Sequence, residues 1–232
     1  MPTLLINKNR YVLQRLLLSR QFVCEVTPHN MLDVGCGEGI LISLVGDQVD
    51  RFGVDIFQDA PANVGSARYI RHDVSTGLPF PDATFDVVHS SELIEHLLDT
   101  ESFLQECLRV LKPGGRLVVS TPNLHYWRNV IEWLIGNQFF FVDCRADQEG
   151  HVRYFCAKTL SAIAHDVGFQ KIMVTTIGDW GGYNLLLKAI AWLFQSLSTT
   201  KNLILFMVAT KQRSIAVPTR PTSHRHHLPT VS

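Results

Sequence analysis

The chain has 232 residues, of which 46% are hydrophobic and 18% charged, enough for one substantial core or two small ones and unlike a disordered, collagenous or coiled-coil sequence. Twenty-one Lys and Arg balance twenty-one Asp and Glu, so the basic field that holds nucleic-acid phosphates is missing and no nucleic acid is expected as a partner. The charged fraction falls below the usual one of about 25%, which favours an apolar substrate or partner.

Tyr11, Leu13, Leu16, Leu17 and Leu18 recur at helical spacing, predicting an N-terminal helical segment over residues 1–30 that packs one face on the domain after it. Short apolar runs flanked by Gly, Asp and Pro then predict strands at Met31–Val34, Arg51–Val54, Tyr69–His72, Phe85–His89 and Arg116–Ser120. Helical segments lie between several of them, and strand alternating with helix predicts an α/β fold with a parallel sheet covered on both faces. Ser91 to Leu98 and Glu101 to Leu111 read as helices, the second stopped by Lys112-Pro113-Gly114-Gly115. From residue 122 to 157 the pattern loosens into an aromatic-rich insert with Tyr126, Trp127, Trp133 and Phe139 to Phe141, too long for an ordinary connection and suited to a cap over a substrate.

A helix over Lys158–Val167 ends at Gly168, and strands follow at Phe169–Thr175 and Leu203–Thr210, a pair able to form a hairpin at the sheet edge. Between them Asn184–Leu197 reads as a hydrophobic helix. Its apolar stretch, Leu185–Leu197, contains Lys188 and Gln195 and is shorter than the roughly 20 residues a membrane span needs. Lys188 and Trp192 share a face there, which allows at most a weak membrane-surface contact. Residues 213–232 are basic, rich in Pro, Thr, Ser and His, and expected to be disordered. Five cysteines, Cys24, Cys36, Cys107, Cys144 and Cys156, are odd in number and form no CxxC. Without a signal-peptide pattern at the N-terminus, reduced thiols and a cytoplasmic location are expected.

Met31-Leu32-Asp33-Val34-Gly35-Cys36-Gly37-Glu38-Gly39 is a strand entering a glycine loop that opens a helix at Ile40. Ile40 stands where the dinucleotide fingerprint has its third glycine, which disfavours a pyrophosphate and with it the rival reading of a nicotinamide enzyme. Asp55 ends the next strand twenty residues after Gly35, where a carboxylate accepts both hydroxyls of a ribose, and Asp73 follows the third strand. Each carboxylate also has a local reading: Asp33 satisfied by loop N–H groups, Asp55 a helix cap, Asp73 a turn residue.

These pieces, followed by Phe85-Asp86-Val87-Val88, Ile94-Glu95-His96-Leu97 and Leu111-Lys112-Pro113-Gly114-Gly115, resemble class I S-adenosylmethionine-dependent methyltransferases of the small-molecule type over about residues 31–121. The resemblance implies a Rossmann-like three-layer sandwich with a mostly parallel seven-stranded sheet, last strand antiparallel, in a methyltransferase domain spanning 31–212. It implies that S-adenosyl-L-methionine is held by Asp33 and the Gly35, Cys36, Gly37 and Gly39 loop at its methionine end. Asp55 would take the ribose, Asp73 and Val74 the adenine, and Ser90 the floor near the sulfonium. Cys36 also reads as a small loop filler, and Cys107 as core.

Methyl transfer to a hydroxyl needs a proton acceptor, and a neutral imidazole suits that task near pH 7. His96, His125 and His151 are the candidates. Glu92, Glu95 and His96 would share a face if their segment were helical, an arrangement similar to the E-x-x-E-H of ubiquinone-pathway and small-RNA 2′-O-methyltransferases, where a magnesium-type ion assists. No metal is expected here, because E-H-L occurs widely in the family as a packing element. The expected reaction is O-methylation of a small or lipid-linked acceptor; N- or C-methylation and cofactor binding without turnover are the alternatives.

Overall fold

Helix α1 (Pro2–Cys24) precedes strand β1 (Asn30–Val34), the short helix α2 (Ile40–Val45), β2 (Asp50–Asp55), β3 (Arg68–Arg71) and β4 (Phe85–Ser91). Helix α3 (Thr100–Val110) then leads into β5 (Leu111–Pro122), and α4 (Ala157–Val167), β6 (Phe169–Ile177) and β7 (Ile204–Lys211) complete the chain order. This computed structural model describes residues 2–57, 59–126, 129–130, 133, 150–177 and 203–213. The predicted Asn184–Leu197 helix, the tail beyond 213 and most of the aromatic insert lie outside the described residues.

The strands form one seven-stranded sheet in the order β3-β2-β1-β4-β5-β7-β6. β1 to β5 pair in parallel, whereas β7 is antiparallel to both neighbours. The expected β6/β7 hairpin therefore has its later strand inside the sheet, with β6 at the edge. Alternate residues explain the layering, because successive side chains of a strand face opposite sides. Leu32 and Val88 pack with Phe103, Leu104 and Cys107 of α3 and Leu160 and Ala164 of α4. Met31, Val87, Val118 and Phe206 pack with Phe22 and Val23 of α1 and Leu41 and Val45 of α2.

Ser91–Leu98 is not a helix. Ser91 continues β4 opposite Ser120, Glu92 takes a left-handed φ of 54°, and a single 3-10 turn at Ile94–His96 is all that coils. The Glu92 N–H donates to Ser120 O at 2.9 Å, so sheet pairing wins over helical spacing at this point. The Lys112–Gly115 segment likewise starts a strand instead of merely stopping a helix. An added Cβ at Gly115 would lie 2.8 Å from Lys112 O and 3.1 Å from Asp86 O, so only glycine lets β5 approach β4 at the irregularity between Phe85 and Val87.

Candidate functional site

The ends of β1 and β2 meet at the glycine loop. Gly35, Gly37 and Gly39 all have left-handed φ values, between 51° and 72°. The N–H groups of Gly35 and Cys36 donate to Val54 O at 2.8 and 3.3 Å, and that of Gly39 donates to Cys36 O at 2.9 Å. The Gly37 N–H donates to Asp55 Oδ2 at 2.8 Å, which places loop and second strand end on one side of the molecule. With these four donors engaged, the loop is not an anion nest for a diphosphate. A Cβ on Gly37 would meet nothing within 4 Å, so the loop backbone borders open space there. Cys36 packs against Gly53, whose absent Cβ would sit 2.9 Å from the Cys36 sulfur. Burial pushes this thiol far above its ordinary pKa, so Cys36 fills space.

Asp55 turns its second oxygen to the Ile56 N–H at 2.7 Å. Asp73 caps the Val74–Thr76 turn, accepting from the N–H and hydroxyl of Ser75 at 3.0 and 2.7 Å, and these bonds hold its carboxyl below the usual range. The Val74 side chain is buried in the core. Between that turn and the start of α3 lies a cavity of about 310 Å³, with Val74, His96, Leu98 and Phe103 among its walls. It joins the third strand exit to the predicted proton acceptor His96.

Asp33 is 3% exposed, and its Oδ1 lies 2.7 Å from Nδ1 of His89. The other ring nitrogen of His89 is 3.0 Å from Ser19 Oγ on α1. Ser90, next along β4, is fully buried, and its hydroxyl has no partner within the described structure. One turn before Ser19 on α1, Arg15 reaches Glu92 at 3.3 Å, and Ser120 donates to Glu92 at 3.1 Å. Sequence reasoning missed Ser19, His89 and Arg15. A signal existed for His89: Asp33 and His89 are polar interruptions in two apolar strands, and the parallel register sets them opposite each other.

Glu95, His96 and His151 converge, with one ligand atom of each within 4.8 Å of the others. The His96 and His151 rings meet edge to face at 4.9 Å between centroids. Residues 150–155 are drawn in because the N–H groups of Val152 and Arg153 donate to Glu95 O at 2.9 and 3.0 Å. Thr121 donates to Glu95 Oε2 at 2.9 Å, while Oε1 is buried without a partner in the described structure. Burial and the charge of Glu92 push the Glu95 carboxyl up to about 8. Burial, with His96 close by, holds His151 below its ordinary value. Two imidazoles and a carboxylate are also a donor set that borderline metal ions accept. Glu92 is not in this group, because with no helix at 91–98 its carboxylate turns to Arg15 and Ser120. His125 is exposed and stands outside it too; its backbone N–H donates to Asn123 Oδ1.

The glycine loop and the acidic end of β2 thus meet at one edge of a doubly wound sheet, the edge at which open α/β sheets bind their ligands. The chain belongs to the methyltransferase-domain family, whose pattern matches residues 6–174, and within it to the class I S-adenosylmethionine-dependent methyltransferases. It is 46% identical over 99 residues to a probable S-adenosylmethionine-dependent methyltransferase of Mycolicibacterium smegmatis, covering 40% of this chain and 38% of that one. It is 33% identical over 121 residues to a ubiquinone biosynthesis O-methyltransferase of Bradyrhizobium sp., covering 47% and 46%. The chain thus spans less than half the length of these relatives. Among solved structures, a SAM-dependent methyltransferase from Archaeoglobus fulgidus superimposes with a TM-score of 0.59 at 20% identity, covering 84% of this chain and 93% of that one.

Proposed function

We propose that this chain transfers a methyl group from S-adenosylmethionine to an oxygen atom of a small or lipid-linked acceptor. The observation that carries the reading is the convergence of Glu95, His96 and His151, with His96 on the wall of a cavity that Val74 also lines. The relative named for ubiquinone biosynthesis O-methylation supports the choice of oxygen.

The residues present fit the cofactor. The space above Gly37 accepts a ligand against bare backbone, and the orphaned Ser90 hydroxyl supplies an unused polar group at the end of β4. Asp33 and Asp55 bring negative charge to a cationic molecule. The loop would hold the methionine portion, Asp55 the ribose, and Asp73 with Val74 the adenine. When bound, S-adenosylmethionine supplies an electrophilic methyl carbon and a neutral thioether leaving group. The chain's own task is to orient the acceptor oxygen, exclude water and take up its proton, and orientation alone can contribute about 7–11 kcal/mol. His151 is suited to accept the proton, since its low pKa keeps the imidazole neutral at pH 7. His96 meets it edge to face, and Glu95 beside them holds its proton more tightly than an ordinary carboxyl.

The test measures S-adenosylhomocysteine formation with hydroxylated aromatic and polyprenylated phenol acceptors, with and without EDTA. Acceptor-dependent turnover that persists in EDTA and falls at least about a hundredfold in His151→Ala supports the proposal. Methylation only at nitrogen or carbon, or tight cofactor binding with no turnover on any acceptor, overturns the assignment to oxygen. Loss of turnover in EDTA overturns the metal-free proton transfer.

A further inference from the structure

The contact of Asp33 with α1 through His89 is built more carefully than core packing requires. All three members of the chain are buried: Ser19 and His89 are 0% and 1% exposed, Asp33 3%. Nδ1 of His89 faces the Asp33 carboxylate and Nε2 faces the Ser19 hydroxyl, both at hydrogen-bond distance; the tautomer with its proton on Nδ1 donates to Asp33 and accepts from Ser19. Each polar group thereby finds a partner in a region where an unmatched one is costly. Asp33 stands two residues before Gly35, at the mouth of the glycine loop. Arg15, one turn before Ser19 on the same face of α1, pairs with Glu92 at the end of β4, so the helix makes two separate polar contacts with the cofactor side of the sheet.

We infer that Ser19 and His89 are positioning residues for the cofactor: they fix the Asp33 carboxylate from α1, and cofactor affinity depends on the seating of that helix. The inference rests on the reading of the site as one for S-adenosylmethionine. His89 touches no ligand in this scheme and acts only through Asp33, whose charge faces the ammonium-bearing end of the cofactor. Replacing His89 by an apolar residue leaves a buried carboxylate without its N–H donor, and the carboxylate must turn or recruit water. A glutamine at position 89 can reproduce both bonds, its amide N–H donating to Asp33 and its carbonyl accepting from Ser19.

Calorimetric titration of S-adenosylmethionine into the full chain tests this, with thermal unfolding of every variant measured in parallel. Ser19→Ala is expected to raise Kd about threefold and His89→Leu about tenfold or more, with KM for the cofactor rising alike and kcat unchanged. His89→Gln is expected within about threefold of the parent, and the Ser19→Ala/His89→Leu double variant no weaker than His89→Leu alone. Parent-like affinity in folded Ser19→Ala and His89→Leu proteins overturns the inference alone, as does a double variant whose two effects multiply. A parent chain that binds no S-adenosylmethionine overturns the functional reading and the inference together.

Discussion

At the scale of single residues the glycine loop makes a sharp contrast. Gly37 and Gly39 share left-handed backbone, with φ of 51° and 72°, yet their surroundings differ. A Cβ at Gly37 points into open space, whereas one at Gly39 would lie 2.8 Å from Val64 Cγ1 and 3.1 Å from its backbone nitrogen. Gly37→Ala is therefore expected to cost about 1–2 kcal/mol of stability from backbone strain. It should also lower cofactor affinity by about tenfold or more, because the methyl occupies ligand space. Gly39→Ala adds overpacking to the same strain and is expected to cost about 3 kcal/mol. Urea unfolding and calorimetric titration of both variants separate the two effects.

Glu95 gives a prediction in pH. Its carboxyl titrates near 8 in the folded protein, against an ordinary value of 4.5. Between those values the folded state keeps a proton that the unfolded chain has released, so stability falls as pH rises through that window. Glu95→Gln retains an acceptor for the Thr121 hydroxyl and removes the titration. Its Tm is expected to decline less than the parent's between pH 5 and 8, and parallel Tm curves would refute the buried proton. The Asp33–His89 pair shows why such residues escape sequence reading: positions 56 apart become neighbours only through the β1/β4 register.

At the scale of elements, strands were the more legible. The five apolar runs bounded by Gly, Asp and Pro and the two later runs all fall on strands, and β1, β4 and β7, buried on both faces, need no periodicity beyond their length to be read. The segment after β4 was not legible in the same way, because Glu92, Glu95 and His96 stand at helical intervals while the backbone is set by pairing with Ser120. That difference decides the site: a helix would have aligned Glu92 with Glu95 and His96, whereas the extended backbone gives Glu92 to Arg15 and brings His151 in its place. A second long-range device ends α3. Lys211 of β7 donates to Leu108 O and Leu111 O at 2.8 Å each, satisfying carbonyls that a helix C-terminus leaves open. Lys211→Met keeps the aliphatic stem and loses these bonds. It is expected to cost about 1–2 kcal/mol in urea unfolding while leaving cofactor affinity unchanged.

At the scale of the whole molecule, α1 both covers one face of the sheet and reaches the candidate site, through different residues. Phe22 and Val23 close the sheet face formed by Met31, Val87, Val118 and Phe206. Arg116 donates to Phe22 O at 2.8 Å and pairs with Glu25 at 2.8 Å, fastening the end of the helix to β5. Composition and periodicity were enough to expect a packed N-terminal helix, but the polar contacts of Arg15 and Ser19 with the site depend on where the helix crosses the sheet. Removal of residues 1–25 uncovers one side of the core and frees Asp33 and Glu92 of their α1-linked partners. The truncated chain is expected to bind a hydrophobic dye and to unfold in urea with a smaller m-value than the full chain, since less surface remains to be exposed. A truncated chain that unfolds with the full m-value and binds S-adenosylmethionine with parent-like Kd would show that neither the core nor the site depends on this helix.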